Sequence, residues 1–235
     1  TGIGSIDSTG SVNTDAGFSI VSWTGTGSNG TIKHGLSTAP KWVICKRRDA
    51  DDAWWTYINS IGAGGHITLN STNAAGSSGA VLWNSTNPTS SVFSVGTNGG
   101  VNASSGTYIA YCFAEKQGYS KVGSYIGNGN ADSTFIYTGF SPAWVMIKRT
   151  TASSYNWMIF DNKRSTSNVI DDRLLANTSG AEVTGSSTHI LDFVSNGFKI
   201  RSSNAAIGGG ADPYIYMAFA EAPFVNSKGV PCNAR

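Results

Sequence analysis

The sequence predicts an all-β protein made of two tandem, duplicated β-sandwich domains of short antiparallel strands. Three observations carry this expectation. The first is internal repetition. Pro40-Lys41-Trp42-Val43-Ile44-Cys45-Lys46-Arg47 returns as Pro142-Ala143-Trp144-Val145-Met146-Ile147-Lys148-Arg149, with Pro, Trp and Arg at one offset (142 − 40 = 144 − 42 = 149 − 47 = 102). Tyr108-Ile109-Ala110 is echoed by Tyr214-Ile215-Tyr216, where the offset has drifted to 214 − 108 = 106. Ordered matches at a drifting offset over ~100 residues mark the duplication of a whole small domain. The second is composition: only 13% of residues are charged, against roughly a quarter in ordinary domains. Gly, Ser, Thr and Asn carry the polar surface instead, and these residues favour turns and weaken helices. The third is punctuation, in which short runs of β-branched and aromatic residues alternate with turn clusters.

Residues 1–16 are mostly Gly, Ser, Thr, Asn and Asp and read as an extended lead-in from an upstream region. The first repeat, 17–117, opens with a strand over Phe18–Trp23, rich in residues that suit a pleated surface. Gly25 to Gly30 is a turn, Thr31–His34 a short strand, and Trp42–Arg47 a near-continuous apolar run that suits a central strand. Further strands are expected at Trp54–Asn59, His66–Asn70, Val81–Trp83, Ser91–Val95 and Tyr108–Glu115. The second repeat, 118–224, follows the same order: Val122–Ile126, Thr134–Thr138, Trp144–Arg149, Trp157–Asp161, His189–Val194, Phe198–Arg201 and Tyr214–Glu221. Asp171 to Leu175 is the one piece with helical character, and 225–235 is a tail.

Net charge is +2, which gives no case for nucleic acid. No apolar run is long enough to span a bilayer as a helix. The three cysteines, Cys45, Cys112 and Cys232, form no disulfide framework. Cys45 stands opposite Ile147 and Cys112 opposite Ala218, so both read as buried free thiols.

His34, His66 and His189 are widely separated without metal-ligand spacing, and they read as solvated strand-edge residues; at the repeat offset His34 falls near Ile136. Asp49, Asp51 and Asp52 could offer oxygens to calcium, but the matching stretch Thr150 to Ser154 holds no acid. No nucleophile elbow or nucleophile–histidine spacing occurs. Neither metal nor cofactor is called for, and a non-enzymatic protein is expected. Lys46-Arg47-Arg48 and Lys148-Arg149 read as solvated strand ends or partners of the matched Glu115 and Glu221.

The aromatics say more. Trp23, Trp42, Trp55, Phe93, Tyr108 and Phe113 each have an aromatic partner in the second copy and read as core. Trp54, aligned with Asn156, Tyr155, aligned with Ala53, and Trp83 have none. An unmatched aromatic among polar loop residues is what a binding surface uses. The candidate receptor-binding residues are therefore Asp51, Asp52, Trp54, Trp83, Tyr155 and Asn156.

One set of anchors is specific in combination: Gly17-Phe18-Ser19-Ile20-Val21, His34-Gly35-Leu36-Ser37-Thr38-Ala39-Pro40, Gly118-Tyr119-Ser120-Lys121-Val122-Gly123-Ser124-Tyr125, Gly139-Phe140-Ser141-Pro142-Ala143-Trp144, and Leu191-Asp192-Phe193 ahead of Ser195-Asn196-Gly197-Phe198-Lys199. Together they resemble a domain of unknown function found near the C-termini of tail-fibre and adhesin-like structural proteins of tailed bacteriophages, notably marine ones. The resemblance runs from about Gly17 to Arg235 and departs at Asn226 to Cys232, which is longer than the family's usual run. It implies a virion surface component, homotrimeric, that attaches to a host-cell glycan or protein and contacts other virion proteins, and it brings no catalytic residues. The alternatives are a purely structural virion protein, such as a capsid decoration or fibre connector, and a glycan-cleaving tailspike, which needs two facing carboxylates.

Overall fold

The structure is a computed structural model that describes residues 2–222, so Cys232 and the 225–235 tail lie outside the described residues. It divides into two compact units. One comprises Thr1–Ser71 and Ala75–Glu115, the other Thr72–Ala74 and Lys116–Arg235.

The first unit holds β1 (Ser8–Asn13), β2 (Phe18–Thr24), β3 (Gly30–Lys33), β4 (Trp42–Arg47), β5 (Trp55–Ile58), β6 (Ile67–Thr68), α1 (Gly79–Trp83), β7 (Val92–Val95), α2 (Gly99–Asn102) and β8 (Thr107–Phe113). A six-stranded antiparallel sheet runs β1-β2-β8-β4-β5-β6, and a second sheet pairs β3 with β7. Alternation places Ser19, Val21 and Trp23 of β2 inward, and Tyr108, Ala110 and Cys112 of β8 likewise. These meet Ile32, Phe93 and Val95 of the small sheet in one core, which is the sandwich logic of two sheets sharing an apolar interior.

The second unit holds β9 (Ser120–Ile126), β10 (Phe135–Tyr137), β11 (Pro142–Arg149), β12 (Met158–Asp161), β13 (Leu174–Leu175), β14 (Leu191–Val194), β15 (Gly197–Ile200) and β16 (Pro213–Ala220). Its sheets run β13-β12-β11-β16-β9 and β10-β15-β14. Val145, Ile147, Phe160, Phe198, Ile200 and Tyr214 form its core.

The duplication is visible in register. Trp42 pairs with Phe113 and Arg47 with Tyr108; Trp144 pairs with Phe219 and Arg149 with Tyr214. Tyr108 stacks on Trp23 at 5.4 Å, and its hydroxyl donates to Gly99 O and accepts from Ala103 N–H. Tyr214 does the same work in the second copy, stacking on Tyr125 at 4.9 Å, donating to Ala205 O and accepting from Gly209 N–H. A buried tyrosine needs a partner for its hydroxyl, and both copies supply it from the chain just ahead of the strand, which in the first copy is helix α2 and the residue after it.

Two segments differ from their sequence-based expectations, and the lead-in is more fully paired than an extended approach requires. Val81-Leu82-Trp83 belongs to helix α1, not a strand. Gly79 opens it because an added Cβ would lie 2.0 Å from Ala63 O, and Asn84 closes it with a left-handed φ of 49°. The Asp171 to Leu175 segment makes no helix. Leu174–Leu175 is β13, registered on β12, and the Asp171 and Asp172 amides donate to Ser165 Oγ. The lead-in is committed to the fold, because β1 pairs with β2 over its whole length.

Candidate functional site

The register that defines the duplication also locates the candidate aromatics. Cys45 pairs with Trp55, and Ile147, the equivalent of Cys45, pairs with Met158. Trp54 is therefore the counterpart of Trp157 (157 − 54 = 103), not of Asn156. Two hydrogen bonds agree: the Trp54 amide donates to Asn70 Oδ1, and the Trp157 amide donates to Asn177 Oδ1. Trp54 is thus a matched residue, half-buried and stacked on Tyr111 at 6.3 Å. This corrects its reading as an unmatched surface aromatic.

Trp83 is corrected as well. It is 2% exposed, lies in the first core and meets Tyr57 edge-on. A side chain at that depth offers a receptor nothing.

The remaining candidates fall in two loops. Asp51 is exposed. Asp52 is half-buried, with Oδ1 accepting from Ala53 N–H and Trp55 Nε1 and its carbonyl accepting from Lys46 Nζ. Tyr155 lies under the Arg149 guanidinium at 4.6 Å, and Asn156 Oδ1 accepts from Asn177 Nδ2. These contacts engage Oδ1 and the main-chain carbonyl of Asp52 and Oδ1 of Asn156 inside the fold.

The charged and titratable groups follow the same pattern. Lys148 is fully buried; its Nζ donates to the carbonyls of Arg149 and Thr72, both in the second unit, and burial pulls its pKa down to about 8. It is no solvated strand end. His34 is 1% exposed, with Nδ1 accepting from Leu36 N–H and Nε2 against Thr89 O, so it too is no surface residue. Burial lowers the pKa of His34 and His66, and takes His189, half-buried near Arg173, down to about 4. Cys45 and Cys112 are buried free thiols, and burial lifts Cys112 to about 12. Among the described residues no group of three or more His, Cys, Asp or Glu converges as a metal centre would require.

The surface that sequence reasoning missed is the outer face of β10. Ile32 pairs with Phe93 in the first unit and Ile136 with Phe198 in the second, so this strand repeats at 136 − 32 = 104 and not at 102. Phe135 then replaces Thr31, Tyr137 replaces Lys33, and Thr138 replaces His34. The hydrogen bonds follow: Leu36 N–H reaches back to His34 Nδ1 as Phe140 N–H reaches back to Thr138 Oγ1. Phe135 is 45% exposed and Tyr137 64%. They are an exposed aromatic pair that the first copy lacks, and a two-residue drift in offset conceals them from a constant-offset alignment.

Around them the face is polar. Asp132 is bridged by Lys199 Nζ at 2.6 Å and Arg201 Nη1 at 2.8 Å, and Arg201 Nε also meets Asp192. Lys199, the leading cause, holds the Asp132 carboxyl below its usual pKa. Phe135 sits cross-strand from Lys199, and Tyr137 from Gly197. Gly197 has no room for a Cβ, which would meet Ile136 O at 2.1 Å and the Phe135 ring at 3.1 Å. The glycine lets the aromatic strand and β15 approach, and the Phe135 ring lies over the space a side chain would take. The result is two solvent-facing rings about two strand residues (~7 Å) apart, flanked by both donors and acceptors.

Residues 1–223 match the profile of a family described as Domain of unknown function (DUF7483). The chain belongs to this family. One family profile thus spans both copies of the repeat, and the lead-in with them. Searches of curated proteins and of solved structures returned no match. Within this DUF7483 domain the copies diverge in surface chemistry at β3 and β10.

Proposed function

We propose that this DUF7483 domain is a non-enzymatic attachment module of a phage tail fibre or similar virion appendage, and that it binds a host-cell surface receptor through the β10 face. The observation that carries the reading is the exposed pair Phe135 and Tyr137, where the first copy has Thr31 and Lys33. Large aromatics held on a strand present rigid contact area at low entropic cost, and such residues anchor interfaces out of proportion to their number. A duplicated domain keeps its fold in both copies and is free to specialise the surface of one. The virion setting is supported by the sequence anchors that resemble phage tail-fibre domains. Homotrimeric display, several fibres to a particle, would let weak single-site binding suffice. In the same reading the exposed Asp51 loop is a peripheral contact and not the anchor.

The test is a pull-down of the purified protein on intact candidate host cells. Phe135→Ala with Tyr137→Ala is expected to lower retention on the order of tenfold or more while the denaturation midpoint holds. Retention unchanged by the double substitution would refute the assignment of this face, and no retention of the well-folded wild type would point to a structural place in the virion.

A further inference from the structure

The outer edge of the small sheet is finished in the first copy and left open in the second. In the first copy the lead-in lies parallel to β3, bridging Ile6 to Ile32. It satisfies three outward backbone groups: Thr31 N–H donates to Ser5 Oγ, Thr31 C=O accepts from Ile6 N–H, and Lys33 C=O accepts from Ser8 Oγ. In β10 the inward groups are used, since Ile200 N–H donates to Thr134 O and Thr138 N–H to Asn196 O. By alternation the Phe135 and Tyr137 peptide groups point out, and no described residue meets them. The residues that would serve at the same offset (5 + 104 = 109, 6 + 104 = 110, 8 + 104 = 112) are Ile109, Ala110 and Cys112, already committed to β8.

We infer that β10 is a strand-addition edge, which takes an extended segment of a partner polypeptide running parallel to it as Gly4 to Ser8 runs along β3. This deepens the attachment reading and rests on it for the identity of the partner as a receptor protein. The template supplies the chemistry. The segment offers an acceptor to Phe135 N–H and donors to Phe135 C=O and Tyr137 C=O. In the template one of these bonds is main chain to main chain and two come from the Ser5 and Ser8 hydroxyls, so backbone pairing supplies affinity and side chains add to it and to specificity. One position differs. Gly30 leaves room for Ile6, whose Cδ1 would lie 2.5 Å from a Cβ there, whereas Thr134 stands at the equivalent place (30 + 104) with its hydroxyl bonded to Ile126 O. The incoming segment is therefore small where the lead-in has Ile6, and it gains apolar contact instead from Phe135, Tyr137 and the exposed Ile126. An open strand edge flanked by exposed apolar side chains is a template that pairs with an extended chain it meets.

The test is an amide-resolved titration of the whole protein with two synthetic peptides: residues 1–13 of this chain, and the same peptide carrying Ile6→Ala. The Ile6→Ala peptide is expected to bind saturably, several-fold tighter than the parent, and to slow hydrogen exchange at Phe135 N–H on the order of tenfold. Phe135→Pro, which removes that donor without touching the bonds to β15, is expected to abolish the effect. Saturation without protection of the Phe135 amide overturns the inference, and this readout on the wild type stands even if Phe135→Pro fails to fold. Absence of binding to millimolar peptide overturns it too, as does concentration-dependent pairing of the protein with itself through 135–137. Loss of cell retention on removing Phe135 and Tyr137, with neither peptide bound, would sink strand addition and keep attachment. Peptide capture without any cell retention would do the reverse.

Discussion

At the scale of single residues, the histidines show how far the chain's polar groups serve the fold. His34, His66 and His189 all have pKa values lowered chiefly by burial, His189 to about 4. A base whose folded pKa lies below its unfolded value near 6.5 takes up its proton first in the unfolded chain, so stability falls as pH drops below about 6.5. Denaturant midpoints measured from pH 7 to pH 4 are expected to fall, and His189→Gln to flatten part of that slope. Lys148 works in the same direction in a more alkaline window. Its folded pKa of about 8 against 10.5 means the charged side chain costs stability at neutral pH, and the cost fades as pH rises from about 8 to 10.5. Lys148→Met should therefore be stabilising relative to wild type near pH 7 by up to about 3 kcal/mol, from (10.5 − 8) at 1.36 kcal/mol per unit, and the advantage should vanish by pH 10.5. A constant difference across that range would show that burial does not lower the Lys148 pKa. Trp83 offers the plainest check of core against surface. At 2% exposure, Trp83→Ala should cost about 3–5 kcal/mol in equilibrium unfolding.

At the scale of elements, strands with strong alternation or continuous apolar runs were legible. Trp42–Arg47 is β4 to the residue, and Phe18–Trp23 and Tyr108–Glu115 became β2 and β8 with shifted ends. Helix α1 was not legible, because Val81-Leu82-Trp83 is apolar and β-prone, and its helical state comes from Gly79 against Ala63 and from Asn84 at the C-cap. Nor was β13, whose two leucines gain strand geometry only by docking on β12. The candidate site was legible in kind but misplaced. On the proposed reading unmatched aromatics remain the signal to follow, but a one-residue drift pairs Trp54 with Asn156 instead of Trp157, and a two-residue drift hides Phe135 and Tyr137. Turn lengths changed after duplication, and only the hydrogen-bonded ladders count across them. The lead-in carries its own test. Ile6 is buried in the first core against β3, so Ile6→Ala should destabilise by about 2–4 kcal/mol. A near-zero change in the unfolding midpoint would mean the edge of β3 does not need its cover.

At the scale of the whole molecule, one antiparallel ladder plan is used twice, down to the Arg47–Tyr108 and Arg149–Tyr214 pairings. What the copies share is therefore best assigned to folding, and what they do not share is where a specific task can reside. Asp52, Asn156 and Trp83 fall on the folding side by their contacts and burial; Phe135, Tyr137 and the open edge of β10 do not. The most direct measurement exchanges the two copies' chemistry. Phe135→Thr with Tyr137→Lys writes the first copy's β3 residues into β10, and its retention on intact host cells is compared with wild type at matched unfolding midpoints. The account requires full folding and loss of cell binding. A variant that folds and binds cells as well as wild type would contradict it.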